Sequence, residues 1–166
     1  MTHIGLLSDT HGYLDLKIFN YFKDCDEVWH AGDFGGGVIA ELEKFKPLRG
    51  VYGNIDGREA RERFPEILRF KCEDVDVLIK HIGGYPGHYD ASIKDTIEYN
   101  PPRLFITGHS HILRVIRDKK HHNLLHINPG AAGKHGFQKV RTVVRFAIDK
   151  SIIKDMEVIE LGNKND

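Results

Sequence analysis

Seven residues of this 166-residue chain combine a side-chain type and a position suited to metal ions: Asp9, His11, Asp33, Asn54, His81, His109 and His111. Each lies close to one of Gly12, Gly32, Gly53, Gly83 and Gly108, and glycine permits tight turns and close backbone approach. The donors are nitrogen and oxygen, with no sulfur. Such a set suits Mn, Fe, Zn, Ni or Co better than Cu(I) or calcium. Two Asp, one Asn and four His are too many for one tetrahedral ion. They suffice for two ions if one carboxylate bridges. Two ions held about 3.5–4 Å apart clamp both oxygens of an in-line displacement at phosphorus. The residue set is one that a two-metal site of this kind could use.

Elements that must position these residues are legible as alternating patterns. Short apolar runs predict strands at 4–7, 27–31, 48–52, 75–79 and 104–107. Helical spacing predicts helices at 14–22, 38–45, 58–64 and 91–99, with Pro47, Pro65 and Pro101 as stops. Every one of the five strands runs into a glycine or polar residue and then a candidate ligand. In α/β sheets, ligands collect beyond the carboxyl ends of the strands. Residues far apart in sequence would thus meet at one edge. His109 and His111 alternate, so an extended segment would aim both imidazoles to one side. Further strands are predicted at 112–116, 124–127, 142–148 and 152–159. The class is α/β, with a mixed sheet or two packed sheets. Residues 1–162 are expected to form a single domain and 163–166 a polar tail, with the terminal LGNKND, 161–166, expected to fray.

The motifs are SDTHG at 8–12, GDFGG at 32–36, GNID at 53–56, His81 within KHIGG, and GHSH at 108–111, with NPGA at 128–131. In this order they resemble the calcineurin-like metallophosphoesterases, specifically the small bacterial and archaeal phosphodiesterases, over nearly the whole chain. The resemblance implies a β-sandwich of two mixed sheets flanked by helices, in four layers. It implies that Asp9, His11 and His111 hold one metal, that Asn54, His81 and His109 hold a second, and that Asp33 bridges them. The implied cofactors are two divalent transition-metal ions, Mn foremost, with Fe, Zn, Ni or Co as the others. The implied reaction is hydrolysis of a small phosphoester, a diester foremost, with Asp33, Asn54, His81 and His109 at the reacting centre.

Some positions depart from the family pattern. Many relatives carry GNH in the third motif, where the His is proposed to protonate the leaving group. Ile55 stands there and has no proton to give, as in the small phosphodiesterases. In the fourth motif His81 competes with His88; His81 follows a strand directly, whereas His88 lies in a Gly/Pro-rich loop. Asp56 either orients a ligand or caps the next helix. A retromer subunit of this fold serves as a scaffold with a degraded metal site. A non-catalytic metal-binding scaffold acting in protein–protein interaction is therefore the alternative, and the complete ligand set favours an enzyme.

Composition narrows the rest. Lys plus Arg is 24 and Asp plus Glu is 24, a balance that argues against a non-specific electrostatic grip on nucleic acid or an anionic membrane. No apolar run approaches the roughly 20 residues of a membrane span. Cys25 and Cys72 fit neither a zinc pattern nor a disulfide framework and suit a reducing cytoplasm. The N-terminus has no basic leader. Of 11 histidines, His30 is expected to pack beside the site and His126 to be structural, with residues 119–122 a solvated turn. The expected partner is a small phosphoester, and self-association is left open.

Overall fold

The computed structural model describes residues 1–166. Strand β1 (Thr2–Leu7) sends Ile4 and Leu6 into one apolar cluster and Leu7 into another. Such a strand is covered on both faces, as parallel strands usually are. Its neighbours are β2 (Glu27–His30) and then β3 (Leu48–Gly50), both parallel, and on the other side β11 (Val140–Asp149), antiparallel. The sheet closes with β12 (Ile152–Asn163) against β11. A second sheet has the order β4 (Ile67–Cys72), β5 (Val75–Lys80), β8 (Leu104–Ile106), β10 (Leu124–Asn128) and β9 (Arg114–Asp118). Strands β5, β8 and β10 are parallel, with antiparallel β4 and β9 at its edges.

The sheets pack face to face, with Ile4, Leu6 and Phe146 from one meeting Val77, Ile79 and Ile106 from the other. Trp29 is fully buried there, edge-on to Phe70 at 5.1 Å and Phe146 at 5.8 Å between ring centres. Helices α1 (Lys17–Tyr21), α2 (Val38–Phe45) and α3 (Arg58–Arg63) cover the outer face of the first sheet through Ile18, Leu42 and Ala60. Helix α4 (Ala91–Tyr99) covers the outer face of the second through Ile93 and Ile97. The result is the expected four layers. No helix is long and apolar enough to cross a membrane.

Helices α2 and α4 fall where their spacing places them. Helix α1 is shorter than expected, because the Asp15 carboxylate accepts the Lys17 N–H at 2.9 Å and turns the chain before Leu16, which stays 79% exposed. Strand β4 and a small hairpin of β6 (Gly84–Tyr85) and β7 (His88–Tyr89) were not expected. Strand β12 continues through Asn163, beyond the expected 159, and the Lys164 N–H donates to the Lys139 carbonyl at 2.9 Å, which corrects the expectation that the chain frays from 161.

Candidate metal centre

The loops after β1 and β2 run side by side. Asp9, His11 and Gly12 donate their N–H groups to the carbonyls of Gly32, Asp33 and Phe34 at 3.0, 3.1 and 2.8 Å. In the second sheet, the Gly108 N–H donates to the His81 carbonyl at 3.0 Å. Several bonds join the sheets, among them the His109 N–H, which donates to Asp9 Oδ2 at 3.1 Å, and His81 Nδ1–H, which donates to the Ala31 carbonyl at 2.7 Å. The rim is therefore one structure built from both sheets. It is too tight for side chains at Gly53 and Gly108, where a Cβ would collide with the Asp33 carboxylate and the Ser8 hydroxyl.

All seven expected residues meet here. Ligand atoms of Asp9, His11 and His111 form one group and those of Asp33, His81 and His109 another, each within 4.8 Å. Asn54 Oδ1 lies 3.1 Å from His109 Nδ1, beside the second group. Asp33 Oδ2 lies between the groups, 3.1 Å from His81 Nε2 and 3.6 Å from His11 Nε2. His88 is elsewhere, exposed on β7 and packed on Tyr85.

The backbone reaches this arrangement through left-handed conformations. Asp9, His11, Asp33, His109 and His111 have φ of 53°, 46°, 59°, 68° and 62°. The expectation of an extended GHSH segment is thereby corrected: successive turns, not strand alternation, bring His109 and His111 inward. Asp and His tolerate this region better than most residues, but each such residue still costs of order 1–3 kcal/mol. Half of the chain's ten non-glycine residues with positive φ are in this site.

Polar neighbours fix the ligands. His81 spends its Nδ1–H on Ala31, which leaves Nε2 with a free lone pair. Gln138 donates its Nε2 hydrogens to the carbonyls of Gly133 and His135, so its Oε1 accepts His111 Nδ1–H at 3.0 Å. Asp56 orients rather than caps. Its carboxylate accepts the N–H groups of Asp33, Gly53 and Gly35 at 2.9, 2.9 and 3.2 Å, while α3 has no side-chain cap. His30 packs beneath the site, as expected. It accepts the Gly32 N–H at Nδ1 and donates Nε2–H to Thr10 Oγ1, both at 3.0 Å, and burial pushes its pKa down to about 3. No motif marks Gln138, which sequence reasoning missed.

Burial opposes ionisation of Asp9, yet the imidazoles of His11, His111 and His81 and the Ser8 hydroxyl hold it well below the usual carboxylate range. Asp33 is likewise lowered against its burial by His81 and the Ile55 N–H. Against their own burial, the same carboxylates raise His81 and His111; burial and His81 lower His109. Three buried atoms at the rim have no hydrogen-bond partner: Asp9 Oδ1, His11 Nε2 and His81 Nε2. An unpartnered buried polar atom costs about 1–3 kcal/mol. Converging oxygen and imidazole donors beside two ionised carboxylates fit divalent transition-metal ions.

The family model for the calcineurin-like phosphoesterase superfamily domain matches residues 2–151. No curated protein sequence matches the chain. Among solved structures, an archaeal phosphodiesterase is 25% identical with a TM-score of 0.74, over 95% of this chain and 99% of that one. A predicted phosphoesterase from Streptococcus pneumoniae is 22% identical, TM-score 0.69, over 96% and 89%. Vps29 from Entamoeba histolytica, in complex with zinc, is 15% identical, TM-score 0.72, over 95% and 98%. The last two likenesses concern the fold alone. A family match across nine-tenths of the sequence agrees with the motif order and the two-sheet rim, and the chain belongs to the calcineurin-like phosphoesterase superfamily.

Proposed function

We propose that the protein is a dinuclear metal-dependent phosphodiesterase. The observation that carries this reading is Asp33 Oδ2, which faces imidazoles of both ligand groups. Asp9, His11 and His111 would hold one ion, Asn54, His81 and His109 the other, and Asp33 both. When bound, the ions would supply positive charge for the phosphate oxygens and acidify a water for attack on phosphorus. The chain's own part is to present lone pairs: Ala31 and Gln138 take the Nδ1 hydrogens of His81 and His111, which turns both Nε2 atoms to the rim. Manganese is the proposed native metal. Two free, buried cysteines fit the reducing cytoplasm as its location. The proposed substrate is a small phosphoester, not nucleic acid.

Ile55 is 53% exposed at the third motif and donates no proton to a leaving alcohol. The reading therefore predicts a steep dependence of rate on leaving-group acidity. The test is turnover of aryl phosphodiesters of graded leaving-group pKa with added Mn²⁺. Acidic phenols should leave fastest. Absence of turnover with Mn²⁺, Fe²⁺, Zn²⁺, Ni²⁺ and Co²⁺ alike would put the scaffold reading first instead.

A further inference from the structure

Arg114 differs from the other nine arginines of the chain. Each of those donates at least one hydrogen bond to a carboxylate or a carbonyl. The Arg114 side chain makes no ion pair and no hydrogen bond, and its Nε is buried without a partner. The Tyr85 ring packs on it, with the ring centre 3.7 Å from the guanidinium carbon.

Its position is defined by the fold. Arg114 opens β9 directly opposite Asn128 of β10. Asn128 Nδ2 in turn donates to the Gly108 carbonyl at 2.9 Å and to Ser110 Oγ at 3.1 Å, inside the GHSH turn. A cavity of about 170 Å³ fills the space between, bounded by Tyr85, His88, His109, Ser110, Arg114 and Asn128. At ~30 Å³ per water it has room for roughly five or six waters, and so for one small group. Asp90 is the one carboxylate in its wall, and it is committed to the Ser92 N–H and hydroxyl at the start of α4. The larger cavity beside Asn54 and His81, about 390 Å³, also holds cations, but these are engaged. Lys80 donates to the Ile82 carbonyl, and Arg61 to the carbonyls of Asp56 and Asn54. Arg114 is thus the uncommitted cation that shares a cavity with a candidate ligand, His109.

We propose that Arg114 is a specificity-determining residue that receives a second anionic group, phosphate or carboxylate, carried by an alcohol of the ester whose phosphorus sits at the rim. The inference rests on the phosphodiesterase reading and deepens it. A guanidinium presents a planar fork of donors that fits either anion with two parallel bonds. Tyr85 covers one face of this fork and holds it in place, leaving its edge for the ligand.

The test compares two diesters on the Mn²⁺-loaded full chain: ethyl p-nitrophenyl phosphate, and the same ester with a terminal phosphate, 2-phosphoethyl p-nitrophenyl phosphate. Wild type should favour the second by on the order of tenfold or more in kcat/KM. Arg114→Ala should bring that ratio to within about twofold of one, and Arg114→Lys should keep part of it. A purely structural Arg114 would lower both rates together and keep the ratio, which would overturn the proposal, as would equal rates in wild type. Binding supplies a readout apart from turnover. In zinc-loaded protein, the Arg114 Nε–H NMR signal should shift with 2-phosphoethyl ethyl phosphate and not with diethyl phosphate. If neither chromogenic ester is hydrolysed, the phosphodiesterase reading fails, and the NMR titration still decides on Arg114: an unmoved signal rejects it.

Discussion

Within the rim, the two ligand groups are close in composition but differ in depth. Side chains of Asp9, His11 and His111 are 0%, 10% and 12% exposed. In the other group, Asp33 and His81 are each 3% exposed, but His109 and Asn54 face solvent. The cavity of about 390 Å³ reaches Asn54 and His81, and that of about 170 Å³ reaches His109. Neither is lined by Asp9, His11 or His111. Depth therefore separates holding from access. The closed group is built to keep an ion, and the open group is where a phosphoester would approach.

The sharpest way to break this comparison is to remove one imidazole from each group. His11→Ala should release the closed-group ion and lower turnover by on the order of 10³-fold, with little recovery at high metal. His109→Ala should lose its ion on dialysis but regain part of its activity when millimolar Mn²⁺ is added. Elemental analysis and activity against added metal would read both. Equal losses in the two variants would mean that depth has no functional consequence.

A smaller effect should follow from the residues that orient ligands. Gln138→Ala frees His111 Nδ1 and should weaken only the closed-group ion, by roughly 10–100-fold. Asp56→Ala releases the backbone of Asp33 and should weaken both ions. Metal titrations that show the reverse pattern would contradict the assignment of Asp33 to both groups.

The smallest effect separates acid loss of the fold from acid loss of metal. His126 is fully buried on β10, outside both groups, and burial pushes its pKa down to about 4 from 6.5. It is neutral in the fold. Its contribution is complete above pH 6.5 and is lost as pH falls toward 4, up to ~3 kcal/mol. Urea midpoints of metal-free protein at pH 7 and 4.5 should differ less in His126→Phe than in wild type. An unchanged difference would assign the acid sensitivity elsewhere.

Much of the site was legible because its chemistry lies at strand ends, where Asp9, Asp33, Asn54, His81 and His109 each follow an apolar run. Two features of the fold were not. Nothing local tells which sheet a strand joins, so the sequence leaves open that β1, β2 and β3 face β5 and β8 across an interior. Strand β4, ILRFKC, was missed because charged Arg69 and Lys71 interrupt its apolar residues. The structure seats Arg69 against Asp76 at 2.6 Å and leaves Lys71 exposed at the sheet edge. Alternation in GHSH suggests a strand, whereas His109 and His111 occupy left-handed backbone in the packed rim. The sequence places His121 in a solvated turn, and the turn is there. Its imidazole, however, sits between Asp118 at 2.8 Å and Glu98 at 2.7 Å. Partners supplied by distant segments leave no local signal, and Gln138 is hidden in the same way.

The central claim is that one carboxylate serves two ions. Its most direct test is the metal content of purified wild type and Asp33→Ala, with hydrolysis of bis-p-nitrophenyl phosphate measured alongside. Two ions per wild-type chain, with metal and turnover both lost in Asp33→Ala, is the predicted result. Two ions retained by Asp33→Ala would contradict it.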